Sequence, residues 1–112
     1  MNYIDAHAHV WTDDLGNYPF APSFKAEDAK PTSFLPEDLL AQAMPCGVDR
    51  VVLVQMSYYG SDNSYMLDVM EEHPGVFAGI GIVDWNGAEP EEEMRWLGEC
   101  GVRGFRIYPR GV

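Results

Sequence analysis

Apolar and polar positions along this chain fall into short blocks whose period changes, and the changes mark out strands and helices in alternation. Asn2 to Val10 is a short apolar-rich run suited to a strand. Val51-Val52-Leu53-Val54, within Arg50 to Gln55, is an unbroken apolar run of the kind expected for a central parallel strand covered on both faces. Val76 to Val83 and Val102 to Tyr108 read as a third and a fourth strand. Helical spacing fills the gaps. Pro36 opens the first helix, with Glu37 and Asp38 near its positive end, Leu39, Leu40, Ala43 and Met44 as its apolar face, and Pro45 and Gly47 as its stop. In the second, Gly60-Ser61-Asp62-Asn63 offers capping side chains, and Met66, Val69, Met70 and His73 recur at helical spacing before Pro74-Gly75. The third runs from Glu89 to Glu99, with Pro90 near its start and Gly101 beyond its end.

An internal echo supports this division. Cys46-Gly47-Val48 before the second strand returns as Cys100-Gly101-Val102 before the fourth, with Pro74-Gly75-Val76 about midway. Such a series of β/α units predicts right-handed crossovers and a parallel sheet. The fold class expected is therefore α/β, the N-terminal half of a (β/α)8 TIM barrel with about four parallel strands and three helices. A whole barrel takes about 250 residues. The 112 residues are thus expected to form a single partial domain, 1–112, and the sequence reads as unfinished. One connection, Trp11 to Leu35, exceeds the ~12 to 15 residues usual for a loop without structure of its own, and its Trp11, Tyr18, Phe20 and Phe24 argue for a folded loop over a site.

Composition adds limits. With 46% hydrophobic and 22% charged residues the chain should pack a core. Its formal charge of −11, from 18 acidic and 7 basic residues, argues against nucleic acid or an anionic membrane surface as a partner and leaves a small-molecule substrate. No stretch approaches the ~18 apolar residues of a membrane span, and the chain starts without a signal-like segment, so the cytoplasm is the expected location. Cys46 and Cys100 are too few for a disulfide framework and are read as reduced, half-buried packing residues. If four strands stand alone, strands one and four are open edges, through which a homo-oligomer could form.

The sharpest chemical signal is Ile4-Asp5-Ala6-His7-Ala8-His9-Val10. Side chains two apart on a strand share a face, so His7 and His9 are placed to hold one divalent metal, with zinc the first choice for neutral imidazoles. Ala6 and Ala8 are assigned to the opposite face, where the helices pack, and Asp5 is also assigned to the helix layer, with no catalytic role. The C-terminal ends of the strands form the face on which barrel enzymes place their sites. On that face the sequence also places Gln55 and Ser57 after strand two, Asp84 and Trp85 after strand three, and Arg106, Tyr108 and Arg110 at the end of strand four. Arg106 is the best candidate to clamp a substrate carboxylate, with Gln55, Tyr108 and Arg110 as further substrate-binding candidates. Asp84 is read as a cap in preference to a ligand, and His73, on the second helix, as structural.

Ile4-Asp5-Ala6-His7-Ala8-His9-Val10-Trp11 resembles the opening of the amidohydrolase superfamily, in its amidohydrolase-2 branch of small-molecule hydrolases, lactonases and decarboxylases. The likeness runs along the whole chain, since Val51-Val52-Leu53-Val54-Gln55 and Gly101-Val102-Arg103-Gly104-Phe105-Arg106 are similar to that branch in character and order. The resemblance implies a (β/α)8 barrel with further metal-binding histidines on strands five and six and a catalytic Asp ending strand eight. It carries over only His7 and His9 here, and puts the general base outside these residues. It also implies a lactone or a carboxylate-bearing ring as substrate and a metal-activated water as nucleophile. The alternatives are a metal-free lactonase or decarboxylase of the same branch, and a non-catalytic half-barrel that needs a second copy or a missing C-terminal half.

Overall fold

A computed structural model of the chain describes residues 2–107. It contains four strands, β1 (Tyr3–Ala8), β2 (Val48–Val54), β3 (Phe77–Gly81) and β4 (Val102–Phe105). Three helices separate them: α1 (Pro36–Ala43), α2 (Ser64–Glu72) and α3 (Pro90–Glu99). All neighbouring strands pair in parallel, in the order β1-β2-β3-β4. This is the α/β arrangement that the alternation of periods predicts. Tyr108 and Arg110 lie outside the described residues.

The core forms where the helices meet one face of the sheet. Val51 and Leu53 of β2, Val69 of α2, Leu97 of α3 and Val102 of β4 are each at most 3% exposed and belong to one apolar cluster. Burying such side chains contributes about 1.5–3 kcal/mol each. On the other face of β2 Val52 is only half-buried while Val54 is 7% exposed, so that face is covered toward the C-terminal end of the strand more than in its middle. Gly79 in β3 lets α2 approach closely: a Cβ there would lie 2.8 Å from Met70 Sδ and 3.0 Å from the Met66 methyl. Among the described residues no helix is long and apolar enough to cross a membrane.

Several local expectations need correction. Cys46 and Cys100 are exposed, not half-buried. Each sits where a helix is ending, Cys46 in a 3-10 turn before left-handed Gly47 and Cys100 as the C-cap of α3, so neither lies on the buried stripe. Met44 is 60% exposed for the same reason, since the tighter turn takes it off the face carrying Leu39. Asn63 precedes α2 without capping it; Asp62 instead accepts the Ser64 backbone N–H at 3.1 Å.

The Trp11–Leu35 connection is folded. Trp11 and Phe34 form an antiparallel bridge across its ends, and Ala21 N–H donates to the Tyr58 carbonyl at 2.8 Å. Phe24 stacks on Tyr58 at 3.9 Å, and Phe20 and Tyr18 lie against Tyr59 and Tyr65. Tyr18 donates to Asp68 of α2 at 2.5 Å, and that carboxylate pushes its phenol up to about 12. These interactions fasten the loop to the turn after β2 and to α2.

Candidate active site

The first strand is irregular where its chemistry begins. Asp5 pairs with Val51, but the next pairing joins Ala8, not His7, to Leu53. Three steps along β1 are thus matched by two along β2, which is a β-bulge. Residues paired across parallel strands share a face, so Asp5 and Ala8 both lie on the side of the core residues Val51 and Leu53, and Ala8 packs against that core. His7 and His9 flank Ala8 and take the other side. Simple alternation cannot put Asp5 and His7 on opposite faces; the extra residue does. Ala6, expected in the helix layer, is exposed.

The two imidazoles converge. Their Nε2 atoms are 3.2 Å apart and their ring centroids 4.9 Å apart, edge to face. His9 Nδ1 lies 2.7 Å from the carbonyl oxygen of Val54, at the end of β2. A carbonyl can only accept, so Nδ1 carries the hydrogen and the Nε2 of neutral His9 presents a lone pair. Desolvation lowers the pKa of His9, the carbonyl bond opposes this, and the nearby His7 and Arg106 lower it further. The ring is held neutral, in the tautomer that a ligand or a base requires.

Two nitrogens on one tetrahedral zinc, each about 2.0–2.1 Å from the ion, lie about 3.3 Å apart. The observed spacing fits that demand, and the main-chain carbonyl behind His9 is the usual outer partner of a ligating histidine. The donor set is short, however. Among the described residues no group of three or more His, Cys, Asp or Glu could hold an ion together.

Arg106 comes to the same place. It follows β4, its backbone N–H donates to the Gly81 carbonyl, and its guanidinium donates to the Gln55 carbonyl at 2.8 Å. The main-chain oxygens of Val54 and Gln55, consecutive at the end of β2, thus hold His9 and Arg106 side by side. The Gln55 side chain is 2% exposed and turns away, donating to the carbonyls of Gly60 and Asp62. It braces the turn after β2 and does not line the site. Asn63, which sequence reasoning assigned to a cap, is 5% exposed and clamps the end of β3: its amide donates to the Ile82 carbonyl at 2.8 Å and accepts the Ile82 N–H at 3.0 Å. Its only sequence signal is a short amide beside a helix start, which a cap explains equally well.

The remaining candidates are engaged in local structure. Asp84 is exposed and accepts the Asn86 N–H in a local turn, and Ser57 begins the 3-10 turn Ser57–Tyr59. His73 ends α2, with Nδ1 on the Val69 carbonyl at 3.1 Å and Nε2 3.9 Å from Glu37, as a structural residue would.

Residues 4–111 match the family model described as Amidohydrolase. The chain belongs to the amidohydrolase family. It is 34% identical over 105 residues to a 2-pyrone-4,6-dicarboxylate hydrolase of Comamonas testosteroni, covering 93% of this chain and 32% of that protein. It is 31% identical over 100 residues to the 4-sulfomuconolactone hydrolase of Hydrogenophaga intermedia, covering 88% of this chain and 32% of that one. Among solved structures, a Pseudomonas putida protein proposed to be a 2-pyrone-4,6-dicarboxylic acid hydrolase superposes with a TM-score of 0.69 at 29% identity, over 93% of this chain and 36% of its own. An Agrobacterium tumefaciens protein superposes with a TM-score of 0.71 at 24% identity, over 93% and 36%, a likeness of fold alone. The chain therefore spans about a third of the length of the curated relatives it matches. Within this family of TIM-barrel hydrolases, it corresponds to four β-strands and three helices of the barrel sheet and its outer layer.

Proposed function

We propose that this chain supplies the first part of the active site of a hydrolase acting on a small lactone that carries a carboxylate. The observation that carries this reading is the convergence of His7 and His9 with Arg106 at the C-terminal ends of β1, β2 and β4. Permanent positive charge beside His9 attracts a carboxylate and orients it against the imidazole pair. The names of the two curated relatives, a pyrone dicarboxylate hydrolase and a sulfomuconolactone hydrolase, support a lactone bearing an anionic group.

His7 and His9 would hold a divalent metal, zinc by preference, through their Nε2 atoms. Such an ion, when bound, polarises a carbonyl and lowers the pKa of a bound water. The chain's own part is orientation. The Val54 carbonyl keeps the His9 hydrogen on Nδ1, and the lowered pKa keeps the ring uncharged. His7 meets His9 by donating from Nε2, and to hold an ion through that atom it would carry its hydrogen on Nδ1 instead.

A second reading rests on the same pair of atoms. The 3.2 Å separation of the Nε2 atoms is also a satisfactory hydrogen bond from His7 to His9, which leaves the pair's acceptor on His7 Nδ1 as a general base toward water with no metal, its tautomer fixed through His9 by Val54. Zinc titration of the purified protein, with hydrolysis of a dicarboxylated pyrone followed before and after chelation, separates the two. Zinc binding that needs both histidines, with activity lost on chelation, supports the metal reading. Activity that survives chelation and falls in His9→Ala supports the metal-free one. Failure to hydrolyse lactones in a form carrying the remaining barrel strands would contradict both.

A further inference from the structure

The bulge in β1 has a side chain built to hold it. Continued regularly from the Asp5–Val51 pair, the ladder would join His7 to Leu53 and turn His7 toward the face where Val51 and Leu53 are each 1% exposed. An imidazole would then enter the apolar core, and Ala8 would leave it. A one-residue slip inverts every following side chain on a strand, so the register at this point decides whether the histidines face the site at all. Ala8 instead takes the ladder position opposite Leu53, and His7 is displaced from it. The backbone N–H of His7 donates to Asp5 Oδ1 at 3.0 Å. Asp5 itself lies on the core side, two residues before the group it satisfies.

We infer that Asp5 is a positioning residue: its carboxylate accepts the His7 N–H displaced by the bulge and so selects the register in which His7 and His9 converge. This rests on the reading of that pair as the functional centre, but its structural content does not depend on a metal. The requirement is for an acceptor oxygen at this distance, not for negative charge. Asn keeps such an oxygen; Ala does not.

The experiment is nuclear magnetic resonance on the full chain without metal, comparing the parent with Asp5→Asn and Asp5→Ala. The readouts are hydrogen exchange at the His7 amide and the nuclear Overhauser effect between the His7 and His9 rings. The expected result is an exchange rate at His7 raised about tenfold in Asp5→Ala, as suits the loss of one hydrogen bond, and no Overhauser effect between the rings. Asp5→Asn should stay within a few-fold of the parent and keep the Overhauser effect. Amides of Val69 and Leu97 report general loosening, which a merely structural role would spread across the core. A zinc titration of the same variants should show affinity lowered about 10- to 100-fold in Asp5→Ala, as for other groups that orient ligands.

An unchanged Overhauser effect and unchanged His7 exchange in Asp5→Ala would overturn the inference, and so would equal damage in Asp5→Asn, which would make charge the requirement. If Asp5→Ala does not fold, the Asn variant decides: parent-like exchange at His7 supports the acceptor role, and separation of the two rings refutes it. If the parent binds no zinc, the metal reading of the site fails while the exchange and Overhauser results still judge Asp5.

Discussion

His9 and His73 make the same local bond and differ in what it accomplishes. In each, Nδ1 lies against a main-chain carbonyl, Val54 for His9 at 2.7 Å and Val69 for His73 at 3.1 Å. Each ring is thereby held in one tautomer with Nε2 turned outward. At the end of α2 that Nε2 lies 3.9 Å from the carboxylate of Glu37 and the ring edges Phe77, so the histidine packs the end of its helix. Beside the end of β2 it faces a second imidazole at 3.2 Å, with Arg106 near enough to lower its pKa. A fixed tautomer is thus not a site. The atom opposite the free nitrogen makes the difference.

Metal affinity should separate the two histidines most. His7→Ala or His9→Ala should lower zinc binding by about 100-fold or more, since a pair of ligands becomes one, whereas His73→Ala should leave it within about twofold; isothermal titration of the three variants reads this. Next in size is the scaffold that carries both regions. Leu97, fully buried in the core, should cost about 2–5 kcal/mol when cut to Ala, seen in urea unfolding, with the two tautomers unchanged. Removing the charge beside the pair, in Arg106→Gln, should weaken binding of a dicarboxylated lactone by about tenfold in a lactone-competent form and also raise the pKa of His9, because Arg106 is one of the causes of its lowering.

A smaller effect follows from linkage. The pKa of His9 is lower in the folded chain than the 6.5 of a free histidine. Above that value both states are neutral at His9 and its contribution is complete. As pH falls, the unfolded chain takes up the proton first, so stability declines until pH passes the folded pKa. Unfolding midpoints measured from pH 7.5 downward should show this decline, and His9→Ala should flatten it. The smallest effect is at His73, whose Nε2 carries no hydrogen in that tautomer and lies 3.9 Å from an exposed carboxylate, so Glu37→Gln should change stability in urea unfolding by less than about 1 kcal/mol.

Much of the fold was legible because it rests on local period. The apolar run at Val51–Val54, the spacing of Met66, Val69 and Met70, and Pro at the start of α1 and α3 each specify their element within a few neighbours. The His pair was legible for the same reason, as two like residues two apart at a strand's end. What could not be read depends on pairing between distant segments. The β1 bulge exists only against β2, so the sequence let Asp5 be assigned to the helix layer and His7 to the site face but held no signature of the extra residue that makes both true. Gln55 stands at the expected strand end, yet whether it faces the site or the turn is decided by carbonyls at Gly60 and Asp62. Asn63 was hidden by a plausible cap, and Ile82, its partner, lies nineteen residues away.

The sharpest test of His7 and His9 as one metal-binding centre is a zinc titration followed at the ring nitrogens of all three histidines by nitrogen-15 resonance. The Nε2 signals of His7 and His9 should shift together to one equivalence point while His73 stays still. Independent titration of the two, or movement of His73 ahead of them, would contradict a shared centre.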